Sequence, residues 1–193
     1  MNIIKKVLTT GNFFANKDLP LLEQLTSLLF VKKLKKKEIL LNEGKVNTKM
    51  YYVQKGLLRV YVIDEGKEIN TWFVKEGEFI NSIPSFYYEI PSDEYIEAIE
   101  DCEIVEIKKS TYEWMLKNNL KLALFAIDQL YIYLCEYHDQ CKSLRFMNAE
   151  KKYEFLLKKK PDILNRLSQK HIASFLGIET TYLSKIIANH KED

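Results

Sequence analysis

Residues 168–186 read SQKHIASFLGIETTYLSKI, and their spacing predicts helix, tight turn, helix. Ser168 can cap the first helix, because its hydroxyl can accept a free backbone N–H of the first turn. Ile172, Ala173 and Leu176 recur at helical spacing. Gly177 stands where the first helix must stop, at the position that favours a left-handed backbone. Thr180 is predicted to cap a second helix, in which Leu183 and Ile186 face inward together. A plain helical hairpin requires no small residue and glycine together at this spacing, whereas a helix-turn-helix does, and Ala173 and Gly177 supply them. In such a motif the second helix enters the DNA major groove. Its outward positions here are Glu179, Thr180, Thr181, Ser184 and Lys185. Thr and Ser can bond to bases or phosphates, and Lys185 can reach guanine O6/N7 or a phosphate. Lys170 and His171, at the start of the preceding helix, are placed for phosphates.

The charge distribution agrees with this reading. Residues 142–193 hold 11 Lys/Arg and 6 Asp/Glu, a balance of +5, while residues 1–141 hold 18 and 21, a balance of −3. The positive excess falls on the segment with the helix-turn-helix, as phosphate contact requires. The chain of 193 residues is 47% hydrophobic and 29% charged, enough apolar material for a sizeable core. No apolar run approaches the roughly 20 residues of a membrane span. MNIIKKVLTTGNFF lacks the apolar core and cleavage site of a secretory signal, so a cytoplasmic protein without membrane contact is expected. Cys102, Cys135 and Cys141 form no CxxC and no even disulfide set. His138, His171 and His190 lie far apart, and neither a metal site nor a cofactor is expected.

Working towards the N-terminus, residues 120–144 predict one long helix. Leu120, Leu124, Ile127, Tyr131, Leu134, His138 and Cys141 follow the 4, 3, 4, 3 spacing of a heptad seam, the pattern of a paired helix. Leu122, Phe125, Ala126, Gln129 and Ile132 offer a second, partly apolar face for packing on the rest of the chain. A homodimer with parallel helices is therefore expected. After the long helix, Asn148 can cap AEKKYEFLLKKK, which Pro161 stops. PDILNRL is then read as a linker. Lys158, Lys159 and Lys160 are expected to be exposed, near a DNA backbone.

Before the long helix the helical period is lost. Short segments follow: Phe30–Leu34, Glu38–Leu41, Met50–Gln54, Leu57–Ile63, Ile69–Val74, Tyr95–Ile99 and Ile104–Ile107. Gly or Asn separates them, as in a β-sandwich or barrel. Asp64-Glu65-Gly66, between RVYVI and KEINTW, predicts a hairpin. KKLKKK (32–37) reads as a solvated sheet edge guarded by Lys. Further predicted helices are an amphipathic piece over residues 1–9 (helix or strand), one over Leu19–Leu28 capped by Asp18, and a short one opened by Ser110. The expected fold is α+β, with an antiparallel β-roll over 1–118, a dimerisation helix over 119–144 and a helix-turn-helix domain over 145–193.

This arrangement resembles the Crp/Fnr family of bacterial transcription regulators over about Leu21 to Asn189. The specific points are Asn42-Glu43-Gly44, Lys55-Gly56-x-x-Arg59-Val60, Gly77-Glu78 and Ala98-x-x-Asp101. The resemblance implies a β-roll that senses an effector, a long helix that pairs two subunits, and C-terminal domains that bind a two-fold-related site on double-stranded DNA. It places Thr180, Thr181 and Lys185 at base-reading positions. It leaves room for a small-molecule effector and for RNA polymerase as further partners.

The departures are informative. The Gly-Glu pair whose Glu holds the ribose in the family's cyclic-nucleotide cassette falls on Asn81 and Ser82. The cassette's phosphate-binding Arg and the following Ser or Thr fall on Ser92 and Asp93. A cyclic phosphate needs a cation and has no use for a carboxylate. The fold is therefore expected without a response to cyclic nucleotides. Phe79, Asn81, Ser82, Ser92, Asp93 and Tyr95 mark the candidate effector pocket. The aromatic group Phe79, Phe86, Tyr87, Tyr88 and Tyr95 either lines such a pocket or fills the core. An enzyme of cupin type would need His on the strands, and residues 1–137 contain none. A dimeric sensor or scaffold without DNA binding is the alternative that sequence leaves open.

Overall fold

The computed structural model describes residues 28–190. The predicted piece over residues 1–9 and the Asp18-capped helix lie outside these residues. Eight strands form two antiparallel four-stranded sheets: β1 (Phe30–Leu34), β2 (Ile39–Leu41), β3 (Lys49–Lys55), β4 (Leu58–Asp64), β5 (Lys67–Val74), β6 (Phe79–Ile80), β7 (Tyr95–Ala98) and β8 (Cys102–Lys108). The orders are β1-β8-β3-β6 and β2-β7-β4-β5. The Lys-rich β1 is an edge strand, as its composition predicted. Its lysines pair with acids, Lys32 with Glu38 and Lys33 with Glu103.

Alternation explains how one sheet serves two layers. Tyr52, Val105 and Ile107 pack in a cluster with Met115 and Leu122. The intervening Val53 and Ile104 are fully buried on the other face. The covering helices are α2 (Lys109–Asn118) and the start of α3 (Leu120–Phe146). Ser110 does not open α2: the helix begins one residue earlier, and its N-cap, Lys108, makes no side-chain cap bond. The β4–β5 turn has Glu65 at φ 48° and Gly66 at φ 76°, the left-handed pair of a two-residue hairpin turn. Two elements were not foreseen: β6, only two residues long, and α1 (Ile83–Tyr88), too short to show a helical period.

The C-terminal helices are α4 (Ala149–Lys159), α5 (Pro161–Leu164), α6 (Gln169–Leu176) and α7 (Thr180–Asn189). Asn148 caps α4 by accepting from the Lys151 N–H at 3.0 Å. The predicted linker is not bare: Pro161 starts the single turn of α5, which buries Ile163 and Leu164. Proline suits that first-turn position, where an N–H would lack a partner. By contact density the described chain falls into two compact units. One takes the residues up to Val60 and Phe73–Gln129, and the other takes Tyr61–Trp72 and the residues from Leu130 on. The distal β4–β5 hairpin thus belongs with the C-terminal helices. Among the described residues no helix is long and apolar enough to cross a membrane.

Candidate nucleic-acid interface

At eight and ten residues, α6 and α7 are too short to persist alone in water. Packing holds them. Ile172, Ala173, Leu176, Leu183 and Ile186 are buried with Tyr153, Leu156 and Leu164. The joint is hydrogen-bonded at both ends of α6. Ser168 accepts from the His171 N–H at 3.2 Å. Gly177 takes φ 67° and ψ 40°, and the Ile178 N–H reaches back to the Ala173 carbonyl at 3.0 Å. That pattern, with Ile178 packed on the cluster, is a Schellman ending. The start of α7 differs from expectation. Glu179 is its N-cap, without a side-chain cap bond, and Thr180 is the first helical residue. The Thr180 side chain is therefore not used as a cap and stands at the exposed end of the helix.

Thr180, Thr181, Ser184 and Lys185 are all exposed on α7, opposite buried Leu183 and Ile186. Lys170 is exposed at the start of α6. The Ser184 hydroxyl lies 2.8 Å from Gln169 Oε1 and 3.0 Å from the Thr180 carbonyl oxygen, and donates between them. Gln169, which no sequence motif marks, thus joins this face. The Tyr182 hydroxyl donates to Glu150 Oε1 at 2.6 Å and ties α7 to α4. This bond holds the Glu150 carboxyl below its usual range and raises the Tyr182 hydroxyl.

His171 is only half-exposed, because the β4–β5 hairpin lies against α6. Asn70 donates its backbone N–H to Ser174 Oγ at 2.9 Å and its Nδ2 to the His171 carbonyl at 3.3 Å. Ser174 Oγ donates in turn to the Glu68 carbonyl at 2.9 Å. Lys159 is exposed as expected, whereas Lys160 is largely covered. Lys159 pairs with Asp139 at 2.8 Å. Lys160 pairs with Glu136 at 3.0 Å and sits 4.7 Å over the Trp72 ring. Lys158 is exposed.

Along α3, Leu120, Leu124, Ile127, Tyr131 and Leu134 are 48–74% exposed. His138 is exposed and Cys141 half-exposed. On the second face Leu122 is buried and Phe125 packs edge-on to Phe79 at 6.1 Å. Ile132, assigned to that face, is instead 55% exposed.

Residues 31–119 match the family model of the cyclic nucleotide-binding domain. The chain is 26% identical, over 76% of its length and 66% of the relative's, to the cAMP-activated global transcriptional regulator CRP of Haemophilus influenzae. That match spans about two thirds of the relative. A CooA variant from Carboxydothermus hydrogenoformans shares the fold at TM-score 0.75, with 19% identity, over 100% of this chain and 85% of that one. A Crp/Fnr-family transcriptional regulator from Eubacterium rectale does so at TM-score 0.69, with 16% identity, over 94% and 88%. Along most of its length the chain is similar to regulators of the Crp/Fnr type. Its relatives are transcription regulators.

The region that aligns with the nucleotide cassette is tied together by its own hydrogen bonds. Ser82 and Ser92 are buried and their hydroxyls lie 3.1 Å apart, with Ser92 also donating to the Glu94 carbonyl at 2.9 Å. The Ser82 N–H donates to Asn47 Oδ1 at 2.8 Å, and the Asn47 N–H to Ser85 Oγ at 2.8 Å. Asp93 is exposed, while Asn81 and Tyr95 are half-exposed. Phe79 belongs to another cluster, edge-on to Tyr52 at 5.0 Å. Of the six pocket candidates, Ser82 and Ser92 are thus joined by a hydrogen bond, while Phe79 packs on Tyr52. Of the aromatics, Phe86 is buried against Tyr112, whereas Tyr87 and Tyr88 are 72% and 69% exposed on α1 and do not fill the core.

Proposed function

We propose that the protein is a cytoplasmic homodimer that binds a two-fold DNA site and regulates transcription from it. One observation carries this reading: Thr180, Thr181, Ser184 and Lys185 stand together on the exposed face of a packed helix-turn-helix. These side chains suit major-groove edges. Lys170, with His171 beside it, lies one helix back and suits the phosphates. In this scheme residues 1–118 sense, 119–144 pair the subunits and 145–193 bind DNA. The uncovered seam of α3 supports pairing, since a monomer has nothing to gain from five large exposed side chains in heptad register.

Cyclic nucleotides are not the effector in this reading. The positions that would hold ribose and phosphate are serines committed to each other and to backbone, with the Asp93 carboxylate alongside. Titration calorimetry with cyclic AMP and cyclic GMP should show no saturable heat up to about millimolar ligand, near 4 kcal/mol of binding free energy. Micromolar binding of either would overturn this part.

The direct test is selection of bound fragments from genomic DNA, followed by competition against scrambled duplex at several salt concentrations. Lys185→Ala should cost about 1–3 kcal/mol on the selected site and relax preference at one position of each half-site. If Lys185 meets only phosphate, affinity should instead fall evenly and the salt slope should become shallower by about one per site. A protein that binds no duplex more tightly than random DNA, with or without cell extract, would favour the scaffold reading.

A further inference from the structure

The Ser184 hydroxyl, on the exposed face of α7, lies between two acceptors, Gln169 Oε1 at 2.8 Å and the Thr180 carbonyl oxygen at 3.0 Å. A serine hydroxyl has one proton to give and two lone pairs. Its proton is therefore held by the protein. Turning the Gln169 amide over does not change this. Nε2 would then donate to Ser184 Oγ, the proton would go to the Thr180 carbonyl, and one lone pair would still be left. In either arrangement Ser184 offers an incoming group an acceptor and no donor. Gln169 and Ser184 are both exposed, so the remaining lone pair can be reached.

Duplex DNA answers to this polarity. In the major groove the N6 amino group of adenine and the N4 amino group of cytosine donate, whereas the edges of guanine and thymine present acceptors. Phosphate oxygens also only accept. To meet an acceptor, Ser184 must turn its proton outward and exchange an internal hydrogen bond for the new one, with no net gain. An amino group adds a bond and removes none. Each base pair carries its amino base on one strand, so the choice fixes the orientation of the pair.

We propose that Ser184 is a specificity-determining acceptor that selects adenine or cytosine over guanine or thymine at one position of each half-site. Gln169 is a positioning residue that acts through Ser184 by holding its proton inward. The proposal rests on the proposed DNA-binding function, with α7 in the major groove.

The test starts from the duplex selected by the full chain. The position read by Ser184 is the one whose base preference Ser184→Ala flattens, and the four bases are placed there in turn. The wild type should bind adenine and cytosine within about twofold of each other and reject guanine and thymine by about three- to tenfold, the worth of one hydrogen bond. Gln169→Leu keeps the bulk and removes one inward acceptor. It should cut that ratio to about half or less while leaving the best base within about twofold of the wild type. An unchanged ratio in Gln169→Leu would overturn the role of Gln169. A preference for guanine or thymine, no flattened position, or an even loss across all sequences in Ser184→Ala, as a phosphate contact gives, would overturn the proposal and leave the DNA-binding function standing. A wild type without any preferred duplex would overturn both.

Discussion

Gly56 sits at φ 101° on the turn into β4, and a Cβ there would lie 2.9 Å from the Asp101 carbonyl oxygen and 2.5 Å from Cys102 Sγ. Gly177, at φ 67°, has nothing within 4 Å of such a Cβ. The two glycines therefore answer to different constraints. Gly56→Ala adds a backbone collision to left-handed strain and should cost about 2–4 kcal/mol. Gly177→Ala meets strain alone and should cost about 1–2 kcal/mol. Urea unfolding of the two variants should show the larger drop in midpoint for Gly56→Ala at unchanged slope. The Tyr182–Glu150 bond makes a different residue-scale prediction. Glu150 has a lowered folded pKa, so its contribution is present above its unfolded pKa and is lost as pH falls through the folded value. Tyr182 is raised, so its contribution is present below its unfolded pKa and is lost as pH rises through the folded value. Both hold at neutral pH. Tyr182→Phe should move the Glu150 titration upward, toward an ordinary glutamate, in a carboxyl-detected NMR titration. An unmoved titration would mean that another group depresses it.

At the scale of elements, α3 has one covered face and one bare one. Leu122 and Phe125 serve the β-roll, while Ile127 and Leu134 stand exposed. Replacing both Ile127 and Leu134 with Lys would set like charges against each other across a paired seam. Sedimentation should then find monomers, with helical content retained by circular dichroism. A double variant that stays dimeric would place the pairing surface elsewhere. Long α3 was legible because three heptads repeat one signal, and the helix-turn-helix because Ser168, Ala173 and Gly177 each do a local job that only one kind of residue does well. The β4–β5 hairpin was legible from its Asp-Glu-Gly turn. What escaped was either short or dependent on distant partners. The aromatic run Phe86-Tyr87-Tyr88 gave no period from which to find α1. Nothing in LKKKPD says that Lys159 and Lys160 meet Asp139 and Glu136, some twenty residues back. Nor does the hairpin sequence say that Asn70 will meet Ser174, more than a hundred residues away. Contacts of that separation are set by packing of whole elements and leave no local pattern.

For the whole molecule the pairing proposal has a covalent signature. In a parallel two-stranded coil, seam residues face their own symmetry mates. Cys141 lies on the seam and Cys135 beside it, whereas the Cys102 thiol is buried and pushed up to about 11. A disulfide forms where the Cα atoms approach to about 4.4–6.8 Å. Mild oxidation should therefore link two chains through Cys141. The linked species should vanish with Cys141→Ser and persist with Cys135→Ser. Crosslinking through Cys135 alone would shift the seam register. Under the proposed function, a dimer so fixed should present its two α7 helices to one face of a duplex, about 34 Å apart, one turn of B-DNA. The linked protein should then bind its selected site as well as the reduced protein does. Inserting about 5 bp between half-sites turns one of them to the far face of the helix and should reduce binding to that of a single half-site, while about 10 bp should restore part of it at the next turn. Binding that ignores the insertion would mean that each subunit reads DNA independently, and the two-fold arrangement would have to be given up while the helix-turn-helix assignment stands.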